Sequence, residues 1–144
     1  MAIYSQGQNT TVTTTTAGAA DVKAAATNSP KVMEFGLVLG AATASRYGFG
    51  RPANDGSVAQ TTPVLLQAEN PADPAALTGT AVAWSTAPTA PTVFLRQVWT
   101  PATIGAGIIW TFPRGLTLPV TKGVVLWNIA TNSANTAFWV VADE

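Results

Sequence analysis

Few side chains in this sequence could perform chemistry, because its 144 residues include no histidine and no cysteine. Histidine is the usual proton carrier near neutral pH and the most frequent metal ligand, and cysteine is the strongest common nucleophile. Seven carboxylates remain as candidate acids, bases and cation ligands: Asp21, Glu34, Asp55, Glu69, Asp73, Asp143 and Glu144. This composition indicates a binding or structural protein and not an enzyme.

Two segments contain acidic residues that could bind a metal ion. Asp55, within Asn54-Asp55-Gly56, lacks the further acidic residues of a calcium loop and is typical of a turn. Glu69 and Asp73 flank Asn70-Pro71-Ala72 and could together bind a hard cation, although loop solubility explains both of them better. We therefore expect no metal site and no cofactor.

Catalysis by a carboxylate pair is a weak alternative, because such pairs meet only in space. Glu34 is the one acidic residue inside a strongly predicted strand, and we expect it to face outward or to bond an arginine such as Arg46. An enzyme that uses carboxylates alone, such as a lysin or a polysaccharide depolymerase whose activity depends on Glu34 or Glu69, would be the catalytic alternative.

Other catalytic motifs are incomplete. A serine or threonine nucleophile would need Lys23, Lys31 or Lys122 as its base, and none of these lysines lies in a Ser-x-x-Lys arrangement. The glycines of Gly48-Phe49-Gly50 precede Arg51-Pro52 and not a helix start, so this segment is no phosphate loop. These glycines instead predict close backbone approach within a sheet. No catalytic residue is predicted.

The aromatic residues favour packing over catalysis. Three tryptophans, Trp99, Trp110 and Trp127, each continue the apolar face of a predicted strand, which is typical of a core or a subunit interface. Exposed tryptophans on a β-sandwich could also form a platform for stacking sugars. Both interpretations apply to the full set: Trp84, Trp99, Trp110, Trp127 and Trp139.

Charged residues make up 10% of the chain, against about 25% in typical soluble domains, and the net charge is zero. So sparse a charge predicts that neighbouring molecules cover part of the surface. Nucleic-acid binders cluster their basic residues, whereas the basic residues here are dispersed along the chain, so we expect no DNA or RNA partner: Lys23, Lys31, Arg46, Arg51, Arg96, Arg114 and Lys122.

No signal peptide or membrane span is expected. The first residues lack a basic segment followed by an apolar one, and the longest apolar run, residues 36–44, is too short to cross a bilayer. Because the sequence has no cysteine, it can form no disulfide and gives no indication of an oxidising compartment. We expect synthesis in a cytosol, followed by assembly.

The beginning of the chain differs from the remainder. Residues 10–16 are nearly all threonine and residues 17–27 are mostly alanine, which predicts extended backbone followed by a strand and a turn. Because such a segment would be disordered alone, we expect residues 1–20 to form an extended arm that packs on a neighbour. Residues 21–144 would form one domain.

Alternation of apolar and polar residues predicts about eight short strands with turn residues between them. The turn residues include Pro113-Arg114-Gly115. This spacing indicates an all-β fold, an antiparallel β-sandwich of the jelly-roll kind. The predicted strands cover residues 31–39, 45–51, 62–69, 81–85, 92–100, 107–112, 124–130 and 136–141.

Several stretches, which together span most of the chain after about Asp21, resemble small jelly-roll virion proteins of tailed bacteriophages. The similarity is to the capsid decoration, or cement, type. It is carried by FGLVL (35–39), ATAS (42–45), GFGRPA (48–53), PRGLTLP (113–119), GVVLW (123–127) and WVVADE (139–144). The resemblance implies a non-enzymatic protein that is made in the host cytoplasm, binds the major capsid protein on the outer capsid surface, stabilises the shell and forms homotrimers.

The main alternative keeps the chain in the virion and changes its task. It would then be a tail, head-fibre or host-attachment module whose exposed tryptophans bind glycans.

Overall fold

All the regular elements of this computed structural model, which describes residues 2–11, 17–54, 63–130 and 135–144, are β-strands. The all-β prediction is confirmed. Within these ranges there is no helix long and apolar enough to cross a membrane. The strands are β1 (Ile3–Thr11), β2 (Ala17–Lys23), β3 (Lys31–Leu39), β4 (Ser45–Gly50), β5 (Val64–Leu65), β6 (Gln67–Ala68), β7 (Gly79–Ala81), β8 (Arg96–Thr100), β9 (Gly107–Thr117), β10 (Gly123–Asn128) and β11 (Asn135–Asp143).

The strands form two antiparallel sheets, one with the order β6-β1-β11-β3-β9 and the other with the order β5-β7-β2-β10-β4-β8. The eight longer strands pair as β1 with β11, β2 with β10, β3 with β9 and β4 with β8. Successive pairs alternate between the sheets, which is the nested arrangement of a jelly roll. The predicted sandwich is therefore confirmed, and the short strands β5, β6 and β7 extend one side of it.

An aromatic cluster joins the two sheets at the centre of the sandwich. Phe35 of β3 lies 4.7 Å from Phe49 of β4 in the opposite sheet and 5.7 Å from Phe138 of β11, measured between ring centroids. Tyr47 of β4 and Thr136 of β11 share a buried hydrogen bond of 2.6 Å across the same interface. The predicted alternation holds from Phe35 to Leu39, where every second side chain points inward. It is wrong at the start of β3, where a register shift places Val32 in the core instead of Met33.

The N-terminal segment differs from the expected arm. Residues 3–11 form β1, which lies inside the five-stranded sheet between β6 and β11. Its pairing with β11 runs from Ile3 opposite Asp143 to Thr11 opposite Asn135. The expected boundary at residue 20 falls inside β2. Pairing with β11 satisfies the backbone groups on one edge of β1, whereas β6 pairs with the other edge only at Tyr4 and Ser5. Val12 and the threonines at 13–16 lie outside the described residues.

Several strand boundaries also differ from the predictions. The predicted strand at 62–69 becomes β5 and β6, which join different sheets on either side of the buried Leu66. The strand predicted at 81–85 is β7, which ends at residue 81, and β8 begins at residue 96 instead of 92. The turn predicted at Pro113-Arg114-Gly115 is part of β9, where the register shifts against β3 and Gly115 has a φ of 69°.

The outer face of the six-stranded sheet is covered by residues 82–95. Trp127 of the central strand β10 points away from the core, between Gly18 of β2 and Gly48 of β4 in register. The ring of Phe94 lies 5.7 Å from Trp127 and occupies the space where a side chain at Gly48 would stand. Trp127 is fully buried, and its indole N–H has no partner among the described residues. Packing alone holds this ring. The close neighbour of Gly48 is thus an aromatic side chain, and the predicted backbone approach is found at Gly50, whose added Cβ would lie 3.3 Å from the Leu95 nitrogen.

Gly48→Ala should therefore destabilise the fold. Its Cβ would stand 2.6 Å from the Phe94 ring, and overpacking of this kind costs about 1–3 kcal/mol. Denaturant unfolding followed by tryptophan fluorescence would measure the loss. The control is Gly79→Ala in β7, where the nearest atom to the new Cβ is 3.5 Å away. Equal stability of both variants would contradict the role assigned to Phe94.

Candidate interaction surfaces

The carboxylate of Glu34 supports a neighbouring aromatic ring. Glu34 Oε1 accepts a hydrogen bond of 2.7 Å from the indole N–H of Trp139, which lies on the adjacent strand β11. Arg46, the expected alternative partner, instead donates to Gln97 Oε1. Glu34 is thus engaged in holding an aromatic side chain on the sheet surface.

Two other carboxylates hold loops onto the sandwich. Asp21, which is buried, accepts hydrogen bonds from the Ala81 N–H at 3.2 Å and from the Trp84 indole N–H at 3.1 Å. It thereby ties the start of the covering segment 82–95 to β2. Sequence reasoning assigned no role to Asp21, because its partners are distant in the chain.

Glu144 fixes the loop before β7. Its carboxylate accepts hydrogen bonds of 2.7 Å from Asn28 Nδ2 and from the Leu77 N–H. Nearby, the Tyr4 hydroxyl donates to the Pro74 carbonyl at 3.1 Å. Burial, followed by the charges of Glu144 and Asp73, raises the pKa of Tyr4, so the phenol keeps the proton that it donates. These contacts are structural.

The two carboxylates of the catalytic alternative lie far apart. Glu34 lies on β3 and Glu69 follows β6, with β1 and β11 between those strands. Three strand spacings amount to roughly 14 Å. Carboxylates that cleave a glycosidic bond stand about 5–9.5 Å apart. This arrangement does not bring Glu34 and Glu69 together as a catalytic pair.

The segment from Glu69 to Asp73, which could have bound a cation, forms a turn. Asp73 N–H donates to the Asn70 carbonyl at 3.0 Å, and Asn70 Oδ1 accepts from the Ala72 N–H at 3.1 Å. Within the described ranges no three potential ligands come together to hold a metal ion. Asp55 lies outside these ranges. The lysines considered as bases lie at strand ends: Lys23 ends β2, Lys31 begins β3 and Lys122 precedes β10.

The tryptophans divide between packing and exposure. Trp110 and Trp127 are buried, as the core interpretation predicted, although Trp127 packs outside the main core. Trp99 is 70% exposed and lies beside Arg46, whose guanidinium carbon is 5.2 Å from the ring centroid. The alternation of β8 favoured a core or interface position for Trp99, but within the chain Val98 packs against the core and Trp99, on the other face of this edge strand, is exposed.

The outer face of the five-stranded sheet is poor in charge over three of its cross-strand rows, whereas the adjoining row, Ile3-Asp143-Lys31-Thr117, contains two charged residues. Three cross-strand rows, each running β1-β11-β3-β9, point away from the core, and Glu34 is the only charged residue in them. We call these rows the open face. They are Asn9-Ala137-Val38-Gly107, Gly7-Trp139-Gly36-Ile109 and Ser5-Val141-Glu34-Thr111.

Exposure and ring placement define the character of the open face. Ile109 is 53% exposed, Ala137 is exposed and Trp139 is half-buried. The Trp139 ring lies flat across Gly36, where any side chain would overlap it. The open face therefore carries few charges and several exposed or half-buried apolar side chains. Such a surface is suited to contact with another macromolecule.

Comparison of the chain with protein-family models, curated proteins and solved structures finds no match.

Gly36→Ala should displace Trp139 and weaken the fold, because the new methyl group occupies the position of the indole ring. We expect a loss of about 1–3 kcal/mol in the free energy of unfolding and a change in tryptophan fluorescence. Gly7→Ala, on the other side of Trp139, is the control, since its Cβ meets only the Phe138 carbonyl oxygen at 3.9 Å. The control should be neutral or slightly stabilising. A reversed order of stability would contradict the ring placement.

Proposed function

We propose that this chain is a non-enzymatic structural protein of a tailed-bacteriophage virion, a decoration protein that binds the major capsid protein on the outer capsid surface. It stabilises the shell there as a homotrimer, after synthesis in the host cytoplasm. The observation that carries this proposal is the open face, a surface with one charge and several apolar side chains on one side of a jelly roll whose other side is covered by its own loop.

The distribution of charge supports contact with a large partner. Only one of the twelve residues of the open face is charged. A partner that covers this face therefore desolvates few charges, and the free-energy cost of desolvation is small. A stable interface buries about 800 Å² on each partner, which requires a broad surface of this kind. Many copies on one shell would multiply a modest affinity at each site.

The participation of the carboxylates in structural contacts supports a non-catalytic task. Asp21, Glu34 and Glu144 each accept hydrogen bonds that hold a ring or a loop in place. A general acid or base needs a carboxyl that is free to exchange a proton with substrate. These three groups are committed elsewhere.

Ala137→Glu tests the proposed contact surface. It places a charge on the open face at an exposed position, so folding should be unchanged while binding to capsid shells assembled without the protein falls about tenfold or more. Cosedimentation with the shells measures binding. Val93→Glu is the matched control, since Val93 is 80% exposed in the segment that covers the other sheet. Failure of the unmodified protein to bind shells, or equal loss in both variants, would reject the proposal.

One observation favours the alternative, a tail, head-fibre or host-attachment module that binds glycans. Trp99 presents most of its ring to solvent, next to the polar groups of Arg46 and Gln97. An aromatic platform flanked by hydrogen-bonding groups is suited to the apolar face and hydroxyls of a sugar.

Trp99→Ala distinguishes the two functions. On the decoration hypothesis, the variant binds shells as the unmodified protein does, and a glycan array gives no signal with either protein. On the alternative, the array gives a signal that Trp99→Ala abolishes, and the protein is found at the tail of the particle. Thermal unfolding of the variant should stay near that of the unmodified protein, because the ring is 70% exposed.

A further inference from the structure

The two edges of the five-stranded sheet carry opposite charge. Sheet order places β9 at one edge and β6 at the other. In the sequence the charged residues are dispersed, but the fold gathers basic side chains along β9 and places the exposed Glu69 and the half-buried Asp73 after β6. We call these surfaces the basic edge and the acidic edge.

The basic edge contains three arginines and a lysine. The guanidinium of Arg96 lies 5.6 Å from the centroid of the Phe112 ring in β9, and Arg114 lies on β9 itself. Arg51 Nη2 donates to the Thr117 carbonyl at 2.7 Å, at the end of β9. Lys31, opposite Thr117 in the register, lies against Gly115. Four of the seven basic residues of the chain therefore meet at one edge.

A cleft at this edge combines positive charge with apolar surface. It has a volume of about 380 Å³ and is lined by Arg96, Thr111, Phe112, Pro113, Arg114 and Gly115. The Arg96 guanidinium donates to the carbonyl of its neighbour Leu95 at 2.8 Å, and no contact with a carboxylate is found for Arg96 or Arg114 among the described residues. Arginine recognises carboxylates with two parallel hydrogen bonds, so this cleft is suited to an acidic segment.

The acidic edge presents such a segment in a fixed conformation. Glu69 is exposed, and its backbone N–H donates to the Ile3 carbonyl at 2.9 Å, which anchors it to β1. The turn that follows is held by the Asn70 side chain and ends at Asp73. A preorganised turn loses little conformational entropy when it binds. Ile3, which is 37% exposed, adds apolar surface beside Glu69.

We infer that copies of this chain associate head to tail, with the acidic edge of one copy, Glu69 to Asp73, seated against the Arg96–Arg114 cleft of the next. The contact is heterologous, so it closes into a ring when the rotation between copies permits. The inference rests on the proposed function, since it names the surfaces that would build the trimer.

Head-to-tail association would align the open faces of neighbouring copies. Edge-to-edge contact places the five-stranded sheets of neighbouring copies side by side. With a rotation axis normal to the sheets, every open face then points in the same direction. A ring of this kind would present several apolar faces to one shell at once, and their binding would be multivalent.

Charge reversal with rescue tests the inference. Arg114→Glu and Glu69→Lys each place like charges in contact, and each should weaken self-association at least about tenfold, as measured by analytical ultracentrifugation. The double variant Arg114→Glu/Glu69→Lys restores opposite charges with the polarity exchanged, so its association should return to within about threefold of the unmodified protein. Added salt should weaken association of the unmodified protein. Lys122→Glu, an exposed charge reversal away from both edges, is the control.

The outcomes separate this inference from the proposed function. A protein that remains monomeric at high concentration, single reversals without effect, or a double variant that fails to recover would each overturn the head-to-tail contact. A monomer that still binds capsid shells would overturn the inference and leave the decoration function standing. A head-to-tail oligomer with no affinity for shells would overturn the decoration function and leave the head-to-tail contact standing. Thermal unfolding of each variant confirms that folding is retained.

Discussion

Two packed sheets share one core, so each sheet of a sandwich has an outer face that the core cannot cover. The central strands of this protein meet that constraint in the same way, with an outward tryptophan between two glycines. Trp127 lies on β10 between Gly18 and Gly48, and Trp139 lies on β11 in register with Gly7 and Gly36. The glycines leave room for large rings against the backbone, and what fills that room decides the role of each face.

The two faces have different fates because only one receives a cover. Over the six-stranded sheet, residues 82–95 bring Trp84, Pro88 and Phe94 onto the glycines, and Trp127 becomes fully buried. Over the five-stranded sheet, Trp139 itself covers Gly36 and is held by Glu34. One face is thereby completed within the chain, and the other remains apolar and half-exposed. The proposed attachment to a shell follows from this asymmetry.

The few charges of the chain have distinct tasks. Asp21 and Glu144 accept hydrogen bonds from distant backbone groups, which satisfies donors that would otherwise be unpaired in loops. Some of the remaining charges lie near the edges of the five-stranded sheet, with Arg96 and Arg114 on one side and Glu69 on the other. In a jelly roll, strands that are far apart in the chain pair with one another. The order of strands in the sheet, and not distance in the sequence, therefore decides which residues lie near each other. Opposite edges of one sheet can therefore acquire opposite charge from a sequence without charged runs.

The sequence by itself determined the all-β class, the jelly-roll sandwich and the inward alternation of Phe35 and Leu37, because a period of two residues fixes which side chains share a face. It did not determine that residues 3–11 form a strand of the sheet, that Pro113 continues β9, or that Trp99 is exposed while Trp127 is buried. Those outcomes depend on which strands lie at an edge and where the segment 82–95 packs. Such contacts join residues far apart in the chain, and only the tertiary structure decides them.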